Sequence, residues 1–431
     1  MSFKNPPHMI VDISMEFLGH LRHFPGTLKQ CSLVCKSWLY PSQKQLFAKL
    51  RSQNRGPKRD FQHLLQFLKE HSYISSFVTN LVLRNNKGED RPRRLDLRHL
   101  HEVVSLLPAL VSIKIIDLNL DVEDVHKEHR LTDTIHCAPL PHIRALLLVG
   151  VGATPVDITY LLWLVSSIGT LRITDSEVRE EQSSCHSPPV VDLASLRHVK
   201  LSHSHLSSGF IQQLSKTAPN LCSLCLTGRD PEAPDVSRTL MFPSSLTLRR
   251  LCLDLKNVAS DNDQHPMNVP NHLDLKSFYN LEELKLTVEM ARTDDEGHDP
   301  GLQIQWTLLL GLVESSEASR IIISLSPPRF GMESFSDPSV KLLECPLLDD
   351  WWTSLKGQAW PILDGCLASK ASIPELGFMG ETFCDFDPFY SKEYLGNKLE
   401  ENIRSSLPRM SSLGMVVFWN EDKDSETWWS S

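Results

Sequence analysis

The chain has 431 residues, 41% of them hydrophobic and 23% charged, with a formal net charge of −9. That length suits two or three domains or a repeat array rather than one compact domain, and the acidic balance argues against nucleic acid as the partner. The longest apolar runs, near Ile158 to Val165 and Trp306 to Val313, are only about eight residues, too short to cross a bilayer, so no membrane partner is expected.

The segment Met1 to Pro6 has no apolar signal core, and the ten cysteines are scattered without a disulfide-scaffold pattern. Both observations favour the cytoplasm or nucleus, with reduced thiols. Ile10, Ile13, Phe17, Leu18 and Leu21 then recur at helical spacing, with Asn5 as the expected cap and Pro6-Pro7 in the first turn. Pro25-Gly26-Thr27 reads as a turn with Thr27 as a second cap. The next apolar stripe is Leu28, Cys31, Val34, Cys35 and Trp38, Pro41 is expected to interrupt it, and Leu46-Phe47 closes the segment. So small a helical unit has few ways to cover its apolar side chains alone, and some are expected to finish their burial against a partner. Residues 1–50 carry a net charge of +4 inside this acidic chain.

These residues carry a family resemblance. Pro6-Pro7, Ile10-Val11-Asp12 and Glu16-Phe17-Leu18, followed by Leu28, the run Cys31-Ser32-Leu33-Val34-Cys35-Lys36-Ser37-Trp38 and Leu46-Phe47, resemble an F-box of the fungal type. Met9 and Ser14 depart from the pattern, standing where the family usually has an acidic and a β-branched residue. The resemblance covers about a tenth of the chain. It implies a small three-helix unit over 1–50 that docks on an acidic Skp adaptor and, through it, on a cullin-RING ubiquitin ligase. Matched position by position, docking falls to Pro7, Ile10, Leu18, Leu28, Cys31, Leu33, Val34, Cys35, Trp38 and Leu46. The local positive charge complements such an adaptor and would speed encounter.

Residues 51–75 read as a basic link and a connecting helix, Phe61 to Leu68, which leads to a first strand at Phe77 to Leu83. Beyond it, alternating apolar pairs recur at Leu81/Leu83, Ile113/Ile115, Leu146/Leu148, Leu171/Ile173, Val199/Leu201, Leu224/Leu226, Leu251/Leu253 and Leu284/Leu286. Helical returns fit at Leu100 to Leu107, Ile158 to Val165 and Phe210 to Ala218. This is the period of leucine-rich repeats, although the spacing is irregular and the usual turn asparagine is missing. The expected fold class is therefore α/β: a small N-terminal three-helix F-box, then an irregular leucine-rich-repeat-like solenoid. The repeat-like domain is placed at 76–420, with further strands near Ile321 to Leu325 and Ile373 to Phe378, a C-terminal cap, and an acidic tail at 421–431. An unrelated fold of alternating strands and helices remains the alternative.

Catalytic motifs are few. Gly150-Val151-Gly152 imitates a dinucleotide-binding turn, but Pro155 stands where the third glycine belongs. Cys222-Ser223-Leu224-Cys225 has CxxC spacing without a second ligand pair. His101-Glu102 lacks the second histidine of a zinc protease, and Arg91 to Arg94 reads as a solvated loop. No metal, cofactor or catalytic residue is assigned. The residues between the paired apolar positions are Val82, Lys114, Leu147, Arg172, Lys200, Cys225, Cys252 and Lys285. They are expected to face outward, and Lys114, Arg172, Lys200 and Lys285 are the candidates for holding an acidic or phosphorylated target. The expected function is a non-catalytic receptor that brings an unknown protein target to a ubiquitin ligase. The alternatives are a scaffold outside ubiquitin transfer and a nucleotide-binding enzyme.

Overall fold

A computed structural model describes residues 8–54, 61–85, 93–121, 142–165, 167–179, 191–227, 238–255, 274–289, 300–326, 359–380 and 400–420. The acidic tail, Asn5 and Pro7 lie outside these. The chain is α/β, with parallel sheets, and divides into two compact units: Met1–Arg197 with Ser202–Ala218, and His198–Leu201 with Pro219–Ser431.

The first unit opens with three helices, α1 (His8–His20), α2 (Pro25–Val34) and α3 (Lys36–Phe47). Strand β1 (Lys49–Asn54) follows after one residue and pairs in parallel with β2 (Asn80–Asn85). The first four residues of the expected basic link, Arg51 to Asn54, are therefore part of the sheet, and the boundary expected at residue 50 falls inside a strand. Leu50 is the reason, because it takes the same rung as Leu81 and extends the apolar face by one strand. Between β1 and β2 lie the helices α4 (Phe61–Glu70) and α5 (Ser72–Ser75), where the connecting helix was expected.

Strands β4 (Ser112–Ile116), β6 (His142–Val149) and β8 (Ser167–Thr174) add in chain order. Leu81, Ile113, Leu146 and Leu171 occupy one rung, and each is almost completely buried. The helices α6 (Leu97–Ser105), α7 (Pro155–Trp163) and α8 (Ser208–Thr217) return the chain. Each starts earlier than its apolar pattern, because Asp96, Thr154 and Ser207 cap the first turns through side-chain oxygens. In α7 the cap is reciprocal: Asp157 accepts from the Thr154 backbone N–H at 2.8 Å, and Pro155 follows the cap, where its missing N–H costs nothing.

A second parallel sheet runs through the same unit, unanticipated by the sequence pattern. It orders β3 (Arg93–Asp96), β5 (Leu118–Asp121), β7 (Gly152–Ala153), β9 (Glu177–Val178) and β11 (His205–Leu206). Asp117 and Asp175 stand one residue past β4 and β8 with φ of 54° and 49°, and Gly150 takes the same place past β6 with φ of 61°. This left-handed residue turns the chain from one sheet into the other. The Asp117 and Gly150 N–H groups donate to the carbonyls of Val149 and Thr174 on the next strand, at 2.8 and 2.9 Å. Where a turn asparagine is missing, Ser176 and Ser204 serve. The Ser176 hydroxyl accepts from Val151 N–H at 3.1 Å and donates to Thr174 O, while Ser204 accepts from Ser176 N–H at 3.2 Å and donates to Ser202 O.

The second unit holds β10 (His198–Ser202) up to Leu201, β12 (Ser223–Thr227), β13 (Arg250–Asp254) and β14 (Glu283–Glu289), again in chain order. Past Leu286, where the sequence period weakens, β15 (Arg320–Ser326), β16 (Glu375–Gly380) and β17 (Val416–Asn420) continue the series in parallel. Their helices α9 (Pro300–Ser315) and α10 (Ala359–Ala368) meet through Trp306 and Trp360, whose ring centroids are 5.0 Å apart. Trp360 continues to Phe378 at 6.0 Å and Phe378 to Phe418 at 5.8 Å, so a run of aromatic contacts links these later elements.

Candidate protein-docking surfaces

The N-terminal helices have a core of three buried side chains, Leu18, Leu28 and Cys31, against which Leu21, Trp38 and Leu46 pack half-buried. The cap expected at Thr27 is not the one used: α2 starts after Phe24 with Pro25 in its first turn, so Thr27 lies inside the helix. Pro41 does not interrupt α3 either. It lies buried inside the helix, as does the fully buried Ser42 beside it, whose hydroxyl has no partner. Packing against the rest of the segment thus overrides the propensity of proline to end a helix.

This small core leaves much apolar surface outside. Leu33 is 85% exposed and Val34 68%, and Ile13, Phe17, Phe24, Leu39 and Tyr40 are exposed too. These are seven of the fourteen exposed large hydrophobics among the described residues, all within the first 40 positions. Phe17 leans on Trp38 with ring centroids 5.9 Å apart, joining the α1 and α3 contributions. Tyr40 meets Phe77 edge-on at 5.1 Å and ties α3 to the segment ahead of β2.

The ten residues expected to dock therefore separate into groups. Leu33, Val34 and Cys35 are exposed, Trp38 and Leu46 are half-buried, and Leu18, Leu28 and Cys31 form the interior. Ile10 sits on α1 with its side chain outside the described set, as is Pro7 altogether. Ile13, Phe17, Leu39 and Tyr40 are exposed on the same helices and were not among the ten. Ile13 and Phe17 are four apart, a spacing that signalled a shared face without saying whether it was covered. Hydrogen bonding to the Ser37 hydroxyl, at 3.0 Å, and to the Trp38 backbone N–H holds the Cys35 thiol below its ordinary value.

A second surface lies on the first unit's main sheet. Its inward positions are buried leucines and isoleucines, and the alternate positions point the other way. One outward rung reads Lys49, Asn80, Ser112, Ala145 and Thr170, and the next Arg51, Val82, Lys114, Leu147 and Arg172. The third is Gln53, Arg84, Ile116, Val149 and Thr174. None of these fifteen is buried, five are cationic and none is a carboxylate. Asp117, just past the third rung, lies 4.0 Å from Arg84. Partial burial pushes the Lys49 ammonium below its ordinary value, and the nearby positive charges of Arg51 and Lys114 add to the effect.

The remaining two expected cations behave differently. In the second unit, Cys225 and Cys252 are paired across β12 and β13 and both are buried, as are Ile322 and Gly377 at the corresponding positions of β15 and β16. The outward exposure expected at the two cysteines is therefore not found. Lys285 is half-buried and donates to the Met379 sulfur at 3.2 Å. Lys200, also half-buried, is near enough to Cys225 to favour its thiolate. A hydrogen bond from Cys252 lowers the Cys225 thiol, and the same bond, with burial, pushes Cys252 well above the ordinary range.

The glycines of the nucleotide-like turn serve the fold. A Cβ at Gly150 would stand 2.6 Å from Asp117 Oδ1, and one at Gly152 would collide with the Asn119 carboxamide. Among the described residues, no three metal-capable side chains gather, and no helix is long and apolar enough to cross a membrane. No protein-family model matches the chain, and no curated protein matches it.

Proposed function

We propose that the chain is an F-box protein: the receptor subunit of a Skp-cullin-F-box ubiquitin ligase, non-catalytic itself, which docks on a Skp adaptor through α1 to α3 and captures a protein target with a leucine-rich-repeat-like solenoid. The observation that carries this reading is the exposure of Leu33 and Val34, 85% and 68%, in the middle of the run that resembles the family motif. Two large aliphatic side chains left in water at one helix end lose hydrophobic free energy unless something covers them, at about 25 cal/mol per Å² of apolar surface. Ile13, Phe17, Leu39 and Tyr40 extend the same kind of surface, and the positive charge of residues 1–50 suits an acidic adaptor.

The solenoid reading is supported by strands that add in chain order within each unit and by a left-handed residue that follows three successive strands of the first. Each unit of such an array completes its core on its neighbours, and the array offers a long sheet face for a target. The receptor's contribution is proximity, which turns a bimolecular encounter into a local one.

The test is adaptor copurification from cells. Leu33→Ala with Val34→Ala is expected to reduce recovered adaptor at least tenfold while leaving the melting temperature within about 2 °C, since neither side chain contributes to the core. Full recovery of the adaptor with the double variant would reject the docking site. Adaptor recovered without cullin would instead favour a scaffold outside ubiquitin transfer.

A further inference from the structure

We infer that the outward face of β1, β2, β4, β6 and β8 binds an extended acidic polypeptide segment, with Arg51, Lys114 and Arg172 reading acidic side chains at every third position. This deepens the target-capture reading and rests on it. The middle rung alternates cation and aliphatic residue across five strands: Arg51, Val82, Lys114, Leu147, Arg172. Neighbouring strands lie about 4.8 Å apart, so successive cations recur at about 9.6 Å. A polyproline II segment rises about 3.1 Å per residue with three residues per turn, which brings every third side chain to one side at about 9.3 Å. Carboxylates at that interval meet the cations, and the residues between them rest on Val82 and Leu147.

Charge and chemistry favour a peptide over the other polyanions. The face has five cations and no carboxylate among its fifteen described positions, and the cations already disfavour one another where Arg51 and Lys114 depress Lys49. A bound polyanion relieves that repulsion. No aromatic side chain stands among the fifteen described positions to stack a base, and a chain of net −9 repels a long nucleic acid. The corresponding positions of the second unit are buried at Cys225, Cys252 and Ile322, so the alternation of cation and aliphatic residue is a property of the first.

The experiment uses the full chain and a fluorescent twelve-residue peptide that repeats Glu-Pro-Val, with its polarisation followed at low and moderate salt. Controls are the Lys-Pro-Val analogue, a peptide of equal composition with its glutamates contiguous, and single-stranded oligothymidine. The spaced acidic peptide is expected to bind most tightly and to weaken at least tenfold with salt. The same loss is expected in the triple variant Lys49→Glu, Arg51→Glu, Lys114→Glu. A second variant, Arg51→Gln with Lys114→Gln, gives the milder form of that loss if the reversal does not fold. Equal binding by wild-type chain and variants, equal binding of spaced and contiguous glutamates, or tighter binding of the oligonucleotide would each overturn the inference. Adaptor copurification with the Arg51→Gln, Lys114→Gln variant, which leaves residues 1–50 untouched, is expected to be unchanged, so failure here is distinguishable from failure of the docking reading.

Discussion

Leu33 and Leu146 both sit in apolar runs, yet one is 85% exposed and the other 1%. Periodicity identified Leu146 and the family resemblance Leu33, but neither could say which would find a partner inside the chain, because coverage depends on elements distant in sequence. Truncation separates them: Leu146→Ala is expected to cost about 2–5 kcal/mol in denaturant unfolding, against under about 0.5 kcal/mol for Leu33→Ala. His101 makes a similar point, read in the sequence as half of an incomplete metal motif. It is buried on α6, its Nε2 has no hydrogen-bond partner, and burial, opposed by Glu102, pushes its pKa below the ordinary value of 6.5. The folded chain thus takes up the proton less readily than the unfolded one. The stability His101 contributes is full above its unfolded pKa and is lost as pH falls through the folded value. His101→Leu is expected to flatten the decline in urea midpoint between about pH 7.5 and about pH 5.5, the range in which an ordinary histidine charges.

Among the elements, the strands of the main sheets were legible because each places two apolar residues on one face with one outward residue between them. The second sheet was not, since β7, β9 and β11 are two residues long and their order comes from backbone turns rather than apolar alternation. Serine at 176 and 204 likewise gives no pattern by itself, although the two hydroxyls satisfy backbone N–H groups that an asparagine would otherwise reach. Ser176→Ala leaves the Val151 N–H without its acceptor, and a cost of about 1–3 kcal/mol is expected from urea unfolding. Strand β1 was mistaken for a link because its outward residues are basic and polar and only Leu50 marks its inner face. The N-terminal helices were the most legible feature, through residue order rather than helix boundaries, which shifted wherever Phe24 or Pro41 took a role that propensity does not assign.

At the scale of the whole chain, a net charge of −9 conceals an uneven distribution: a positive amino end and a sheet face with five cations and no acid. Run length argued against a membrane span and the acidic balance against nucleic acid, but the net figure averages away this distribution. If α1 to α3 are the docking unit, the adaptor binds the folded chain and not the unfolded one. Thermal unfolding should then shift upward with adaptor concentration, by the equivalent of about 2.7 kcal/mol at a hundredfold excess over Kd. A midpoint indifferent to adaptor would count against docking without bearing on the cationic face.

Ala48 alone separates α3 from β1, and its carbonyl accepts the backbone N–H groups of Thr79 and Asn80, each at 2.9 Å, with the Thr79 hydroxyl at 3.1 Å. The junction therefore has no slack. Whatever grips the helices is held at a fixed bearing to whatever lies across the strands, as a bracket holds a shelf. Lengthening the joint after Ala48 with glycine and serine should preserve each grip measured separately and spoil only the transfer that depends on their mutual aim.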